Sequence, residues 1–162
     1  MKRWVWILCL LSGLVQADDQ CGVADDRFDV RNDGTILDKK TKLQWMQCSL
    51  GMQWQQGECT GRALRYDWSR VQDEVGVINS SRGFANATGW RLPTQVELES
   101  LIDKRCYDPT VNSQYFSRTV SAGYWTSTGY PGYNGGMMLV YFLHGQSYLA
   151  NKERDWFVRL VR

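Results

Sequence analysis

The sequence predicts an α+β fold, two helices packed on a mixed or antiparallel β-sheet and stapled by disulfides. Three observations predict it. Two segments, around Trp68 and after Thr94, carry apolar residues at helical spacing, and a strand-rich half follows them. Asp33-Gly34 stands between two short strand-like runs as a hairpin turn. The cysteines downstream of an N-terminal export signal are even in number, which favours pairing.

Taken in order, Phe28 to Asn32 reads as a strand, Asp33-Gly34 turns the chain, and Thr35 to Leu37 returns. Asp38 to Thr41 makes a second turn before Leu43, Trp45 and Met46. Asp67 has the character of an N-cap, and Trp68, Val71, Val75 and Ile78 recur on one helical face behind it. Ser80 to Ala87 is a loop. Pro93 forces the preceding residue out of the α region, so Trp90 to Leu92 is extended. Thr94, with Glu97 three residues later, forms a capping box opening a helix that carries Leu98, Leu101 and Ile102. Lys104 and Arg105 suit its negative end, so the helix is expected to reach Asp103. Tyr124 to Ser127, Met138 to Leu143 and Trp156 to Val161 read as strands of a mixed sheet.

These motifs carry a resemblance. Gly89-Trp90-Arg91-Leu92-Pro93-Thr94 with its Glu-bearing helix resembles the Lcl C-terminal domain family, formerly a domain of unknown function. Trp90 to Thr94 alone is a shorter echo of the formylglycine-generating enzyme superfamily, and both likenesses imply a C-type-lectin-like fold. Asp33-Gly34-Thr35 and Asp38 to Trp45 are similar to the first family's opening hairpin. Cys48-Ser49-Leu50-Gly51, Trp54, Cys59-Thr60-Gly61 and Tyr66-Asp67-Trp68 resemble its cysteine segment. Tyr107 to Asn112 with Tyr115-Phe116, then Tyr124 to Thr128 and Val158 to Arg162, resemble its later segments. The likeness runs from Arg27 to Arg162 in family order.

Location follows from the N-terminus. Lys2 and Arg3 precede an apolar run from Trp4 to Val15, and Val15-Gln16-Ala17 offers small residues for cleavage. The run is short for a bilayer span, so 1–17 reads as a signal peptide, 18–26 as an N-terminal tail and 27–162 as the Lcl C-terminal-like domain. An uncleaved anchor is the alternative. The expectation is an exported protein, periplasmic, cell-surface or secreted. Of 19 Lys+Arg and 17 Asp+Glu, only Lys2 and Arg3 leave with the signal, so the mature chain is neutral. Neutrality gives no bulk attraction to nucleic acid.

Cys9 leaves too, and Cys21, Cys48, Cys59 and Cys106 remain. Of the three pairings open to them, Cys48–Cys59 closes a short loop rich in Gly and Gln, and Cys21–Cys106 ties the polar tail to the body. No Cys-x-x-Cys occurs and His144 is the sole histidine, so neither a metal nor a cofactor is implied. Asp29, Asp33 and Gly34 resemble an EF-hand opening, but Arg31 occupies a ligand position and Lys40 stands where the closing Glu belongs. The proline contexts match no calcium-dependent sugar motif, and the late cysteine pair of formylglycine-generating enzymes has no counterpart after Cys106. The chain is expected not to be an enzyme.

Six tryptophans of the mature chain lie mostly in or beside predicted elements, and these read as core. The binding surface expected instead is Thr128 to Gly136, where Tyr130, Tyr133 and Asn134 sit among glycines, as in adaptable recognition loops. Tyr148 and Asn151, on a second polar turn, are expected beside it. The function these readings imply is a secreted or periplasmic, non-enzymatic module recognising a glycan or protein at the bacterial envelope. An accessory subunit of a pilus or secretion machine is the alternative, an enzyme of the formylglycine-generating type the second. The resembling family includes the head of a collagen-like adhesin that recognises sulfated glycans. The mature chain is neutral and has no Gly-x-y repeat, so that ligand is not carried over. A homo-oligomer is among the open assemblies.

Overall fold

The computed structural model describes residues 21–80 and 82–162. The segment 1–17, expected from the sequence to be a signal peptide, and the expected cleavage site lie outside them. Strands β1 (Phe28–Val30), β2 (Thr35–Asp38) and β3 (Gln44–Met46) form one antiparallel sheet in chain order. Gly34 turns the first hairpin at φ 84°, and Asp33 Oδ1 accepts from the Thr35 N–H and hydroxyl at 3.0 and 2.6 Å. The aspartate that resembled a calcium ligand therefore serves the turn.

The Gly- and Gln-rich segment read as a loop is a second hairpin, β4 (Met52–Gln55) with β5 (Glu58–Gly61), in which Trp54 pairs with Cys59. Its strand signal is weak because outward-facing glutamines replace the usual β-branched residues. Helix α1 (Trp68–Asn79) is capped by Asp67, which accepts from the Arg70 N–H. Both halves of the Thr94–Glu97 capping box form at the start of α2 (Gln95–Glu99).

Helix α2 is shorter than expected. Ile102 leaves it to bridge Val111, and the Asp103 N–H donates to the Thr110 carbonyl at 2.8 Å. Tertiary pairing outcompetes the favourable charge of Lys104 and Arg105. The last sheet runs β6 (Gly123–Gly129), β7 (Gly136–Tyr141), β8 (Gln146–Asn151), antiparallel throughout. Strand β8 stands where the sequence predicts a polar turn carrying Tyr148 and Asn151. It is the exposed edge, with only Ala150 buried, and so lacks an apolar alternation.

Trp156 to Val161 is extended but is no regular strand. Trp156 bridges Tyr66, Phe157 bridges Tyr124, and Val161 bridges both Trp45 and Arg91. Val158, Leu160 and Val161 are fully buried, so this closing segment is a seam between elements rather than a ladder rung. Two apolar clusters result, on the two faces of the last sheet. Tyr124, Val140 and Phe142 pack with Leu98, Leu101, Ile36 and Trp45 on one side. Trp125, Met137 and Leu139 pack with Trp90, Val71 and Leu160 on the other. Neighbours on β6 and β7 alternate between the clusters, as strand geometry requires. Cys21–Cys106 and Cys48–Cys59 are both formed.

Candidate binding site at the end of the last sheet

The β6–β7 connection is held by its own backbone. The Tyr130 N–H donates to the Gly136 carbonyl at 3.0 Å, and the Gly136 N–H donates to Tyr133 at 3.0 Å. The Tyr133 N–H returns to Tyr130 at 3.3 Å. From the end of β8, the Lys152 N–H reaches the Gly135 carbonyl and its ammonium the Asn134 carbonyl, at 3.1 and 3.0 Å. The loop is thus clamped along its length, while Tyr130 and Tyr133 remain 45% and 47% exposed.

Tyr133 folds its ring over Gly136. A Cβ at Gly136 would fall 2.6 Å from Tyr133 Cδ1 and would also meet Leu149. Glycine is needed there for this close approach. Asn134 and Asn151 are exposed at the same end, since Gly136 pairs with Asn151. Asn151 Oδ1 accepts from the Glu153 N–H at 3.1 Å.

Four of the five expected residues therefore converge, and the fifth does not. Tyr148 pairs with Leu139, three residues along β8 from Asn151, about 10 Å away at strand rise. Tyr148 and Asn151 lie on a strand, not on a turn. Because Leu149 shares a face with the Tyr133 ring, Tyr148 points to the opposite face. It joins a separate aromatic group, edge-on to His144 at 5.6 Å and to Tyr141 at 6.1 Å, while His144 stacks on Tyr141 at 5.3 Å. The Tyr148 hydroxyl donates to Gln146 Oε1 at 2.8 Å.

Elsewhere, charged groups serve the scaffold. Arg91 donates through both terminal nitrogens to the Glu97 carboxylate at 2.7 and 2.8 Å. The Arg91 fork first, and then the Thr94 N–H, hold Glu97 down at about 2 against burial, which pushes it up. Arg159 is 1% exposed and donates to the Gln47 carbonyl, Ser49 Oγ and Thr119 Oγ1 while lying over the Phe116 ring. It faces no carboxylate among the described residues, and burial pushes its pKa down. Sequence reading missed this group, since an arginine amid Val158 and Leu160 looks like an outward-facing strand position.

Among the described residues no His, Cys, Asp or Glu cluster is placed to hold a metal ion. No helix there is long and apolar enough to cross a membrane. The convergent end presents two half-exposed tyrosine rings and two amide side chains on a backbone held by hydrogen bonds. Comparison with curated proteins finds no match. Residues 34–162, from the turn after β1 through both helices to the closing seam, match the Lcl C-terminal domain family, and the chain belongs to it.

Proposed function

We propose that this chain is an exported, non-enzymatic binding module of C-type-lectin-like architecture that recognises a glycan or a protein at the bacterial envelope. The observation that carries the reading is the clamped β6–β7 loop with two half-exposed tyrosines. Ordering such a loop in advance removes much of the entropic cost of binding. Tyrosine rings add flat contact area with a polar tip, suited to a sugar ring or a protein surface. The two disulfides support an oxidising compartment.

A second reading, an accessory subunit of an envelope assembly, is favoured by β8. It is an unpaired sheet edge that exposes Tyr148 and Leu149, a form that accepts strand pairing from another chain. Mature protein applied to a glycan array, and used as bait in envelope extract, tests both. Glycan binding lost on truncating Tyr130 and Tyr133 is the expected result. One stoichiometric protein partner with no glycan bound selects the second reading, and turnover of a substrate would overturn both.

A further inference from the structure

Between the segment joining β3 to β4 and the end of α1 lies an apolar recess of about 190 Å³. Its walls are Met46, Leu50, Met52, Trp54, Ile78 and Phe84, and its floor carries Cys48 of the Cys48–Cys59 bridge. None of these residues belongs to the β6–β7 loop.

The recess is built rather than incidental. Trp54 and Phe84 converge over Gly34, where a Cβ would fall 2.8 Å from Trp54 and 3.2 Å from Phe84. The Trp54 indole N–H is fixed to the Asn32 carbonyl at 3.3 Å, and the disulfide ties the β4–β5 hairpin beneath it. Ser49 is the one hydroxyl in the lining, and it is already engaged with the Tyr124 hydroxyl at 2.8 Å.

Size and lining together select the ligand. An apolar cavity of about 150 Å³ stays dry and accepts benzene, whereas drug-sized ligands need roughly 300 Å³ or more. The recess therefore fits one aromatic side chain, and the two thioethers can adjust around its ring. From the shared wall of Ile78 and Phe84, an open trough continues past Val77, which is 66% exposed, to Arg82. Arg82 pairs with no carboxylate among the described residues.

We propose that this recess and trough form a second binding site, for a partner's peptide segment that inserts one aromatic side chain and sets an adjacent carboxylate against Arg82. The aromatic ring supplies the affinity. The trough carries the flanking residues, and the arginine sets the direction in which the segment lies.

The methionine methyls report on this directly. Met46 and Met52 line the recess, whereas Met137 and Met138 on β7 do not. Mature protein labelled with ¹³C at the methionine methyls is titrated with a capped pentapeptide containing phenylalanine followed by aspartate. Parallel titrations use the same peptide with alanine for phenylalanine, and with asparagine for aspartate. Saturable shifts of the Met46 and Met52 methyls with the first peptide, absent with the alanine peptide, are expected. Affinity falls about 3–5-fold with the asparagine peptide or in Arg82→Glu, as a partly exposed ion pair implies. Met52→Trp, which fills the recess and leaves Met46 as the reporter, abolishes the shift of the Met46 methyl, with its circular-dichroism melt confirming that it is folded.

The Tyr130→Ala, Tyr133→Ala, Asn134→Ala variant binds this peptide as the unaltered protein does. That separates the recess from the loop, so either site can fail alone. No methyl shift with the phenylalanine peptide, equal shifts with the alanine peptide, or loss of binding in the loop variant would overturn the proposal. Shifts produced by benzene but by no peptide would overturn it as well, because the recess would then be a buried void rather than a docking site.

Discussion

Asn79 grips the Trp90 backbone with both ends of its amide: Nδ2 donates to the Trp90 carbonyl at 2.7 Å, and Oδ1 accepts from the Trp90 N–H at 2.9 Å. The last residue of α1 thereby substitutes for a neighbouring strand at the corner leading to α2. Above this clamp the Trp90 indole is 1% exposed and donates to the Ala87 and Phe84 carbonyls at 2.9 and 3.2 Å.

Asn79→Ala is expected to lose about 1–3 kcal/mol, because it strands a donor and an acceptor that nothing else reaches. Asn79→Asp should do no better, since a carboxylate oxygen would face the Trp90 carbonyl. Trp90→Ala should cost more, about 3–5 kcal/mol, through the cavity left by the ring. Urea unfolding midpoints check all three. A Trp90→Ala protein as stable as its parent would remove the corner from the core.

The Arg91–Glu97 fork makes stability depend on acid. Glu97 is held at about 2, below its ordinary 4.5, so its contribution is complete above about 4.5 and is lost as pH falls toward 2. With Arg91 nearly half exposed, solvent screening limits the effect to about 1 kcal/mol. Unfolding free energies measured from pH 6 to 2 should fall less steeply in Glu97→Gln than in the parent. Parallel curves would show that the fork contributes nothing to linkage.

Thr94→Ala removes the cap that accepts from the Glu97 N–H at 3.2 Å, and is expected to destabilise the domain by about 0.5–2 kcal/mol. Ligand binding at the β6–β7 loop should be unchanged at temperatures where the variant is folded. Thermal melts paired with the glycan array decide it.

Arg159→Ala should cost about 3 kcal/mol or more, because Gln47 and Thr119 lose their donor and a cavity opens beside Phe116. Arg159→Met should recover much of that loss, since a well-packed apolar chain avoids desolvating a charge. If both variants unfold at the same urea concentration, the guanidinium's hydrogen bonds are what matter rather than its volume.

Truncating Tyr130, Tyr133 and Asn134 to alanine together is expected to abolish binding and leave the melting curve nearly in place. Only the Tyr133 ring packs on the sheet, over Gly136. Gly136→Ala separates the roles, since its Cβ would displace that ring while both tyrosines remain. Weakened binding with little loss of stability is the expected outcome, and an unchanged affinity would show that Tyr133 contributes nothing to recognition.

Local chemistry determined the parts whose partners are close in sequence. Asp33-Gly34 makes its hairpin, Asp67 and Thr94 cap their helices, and Cys48 bonds Cys59, because each needs only residues within one or two turns. The even cysteine count also pointed to the distant Cys21–Cys106 bridge, but tertiary structure alone decided how the elements end and meet. Helix α2 stops at Glu99 because Ile102 finds Val111, and Trp156 to Val161 becomes a seam because four distant elements compete for its backbone. Tyr130, Tyr133, Asn134 and Asn151 meet because β7 and β8 share a register, whereas Tyr148 is turned to the other face by strand alternation once β8 proves to be a strand. An edge strand with one buried residue carries no apolar period to read, so only its pairing with β7 reveals which way each side chain points.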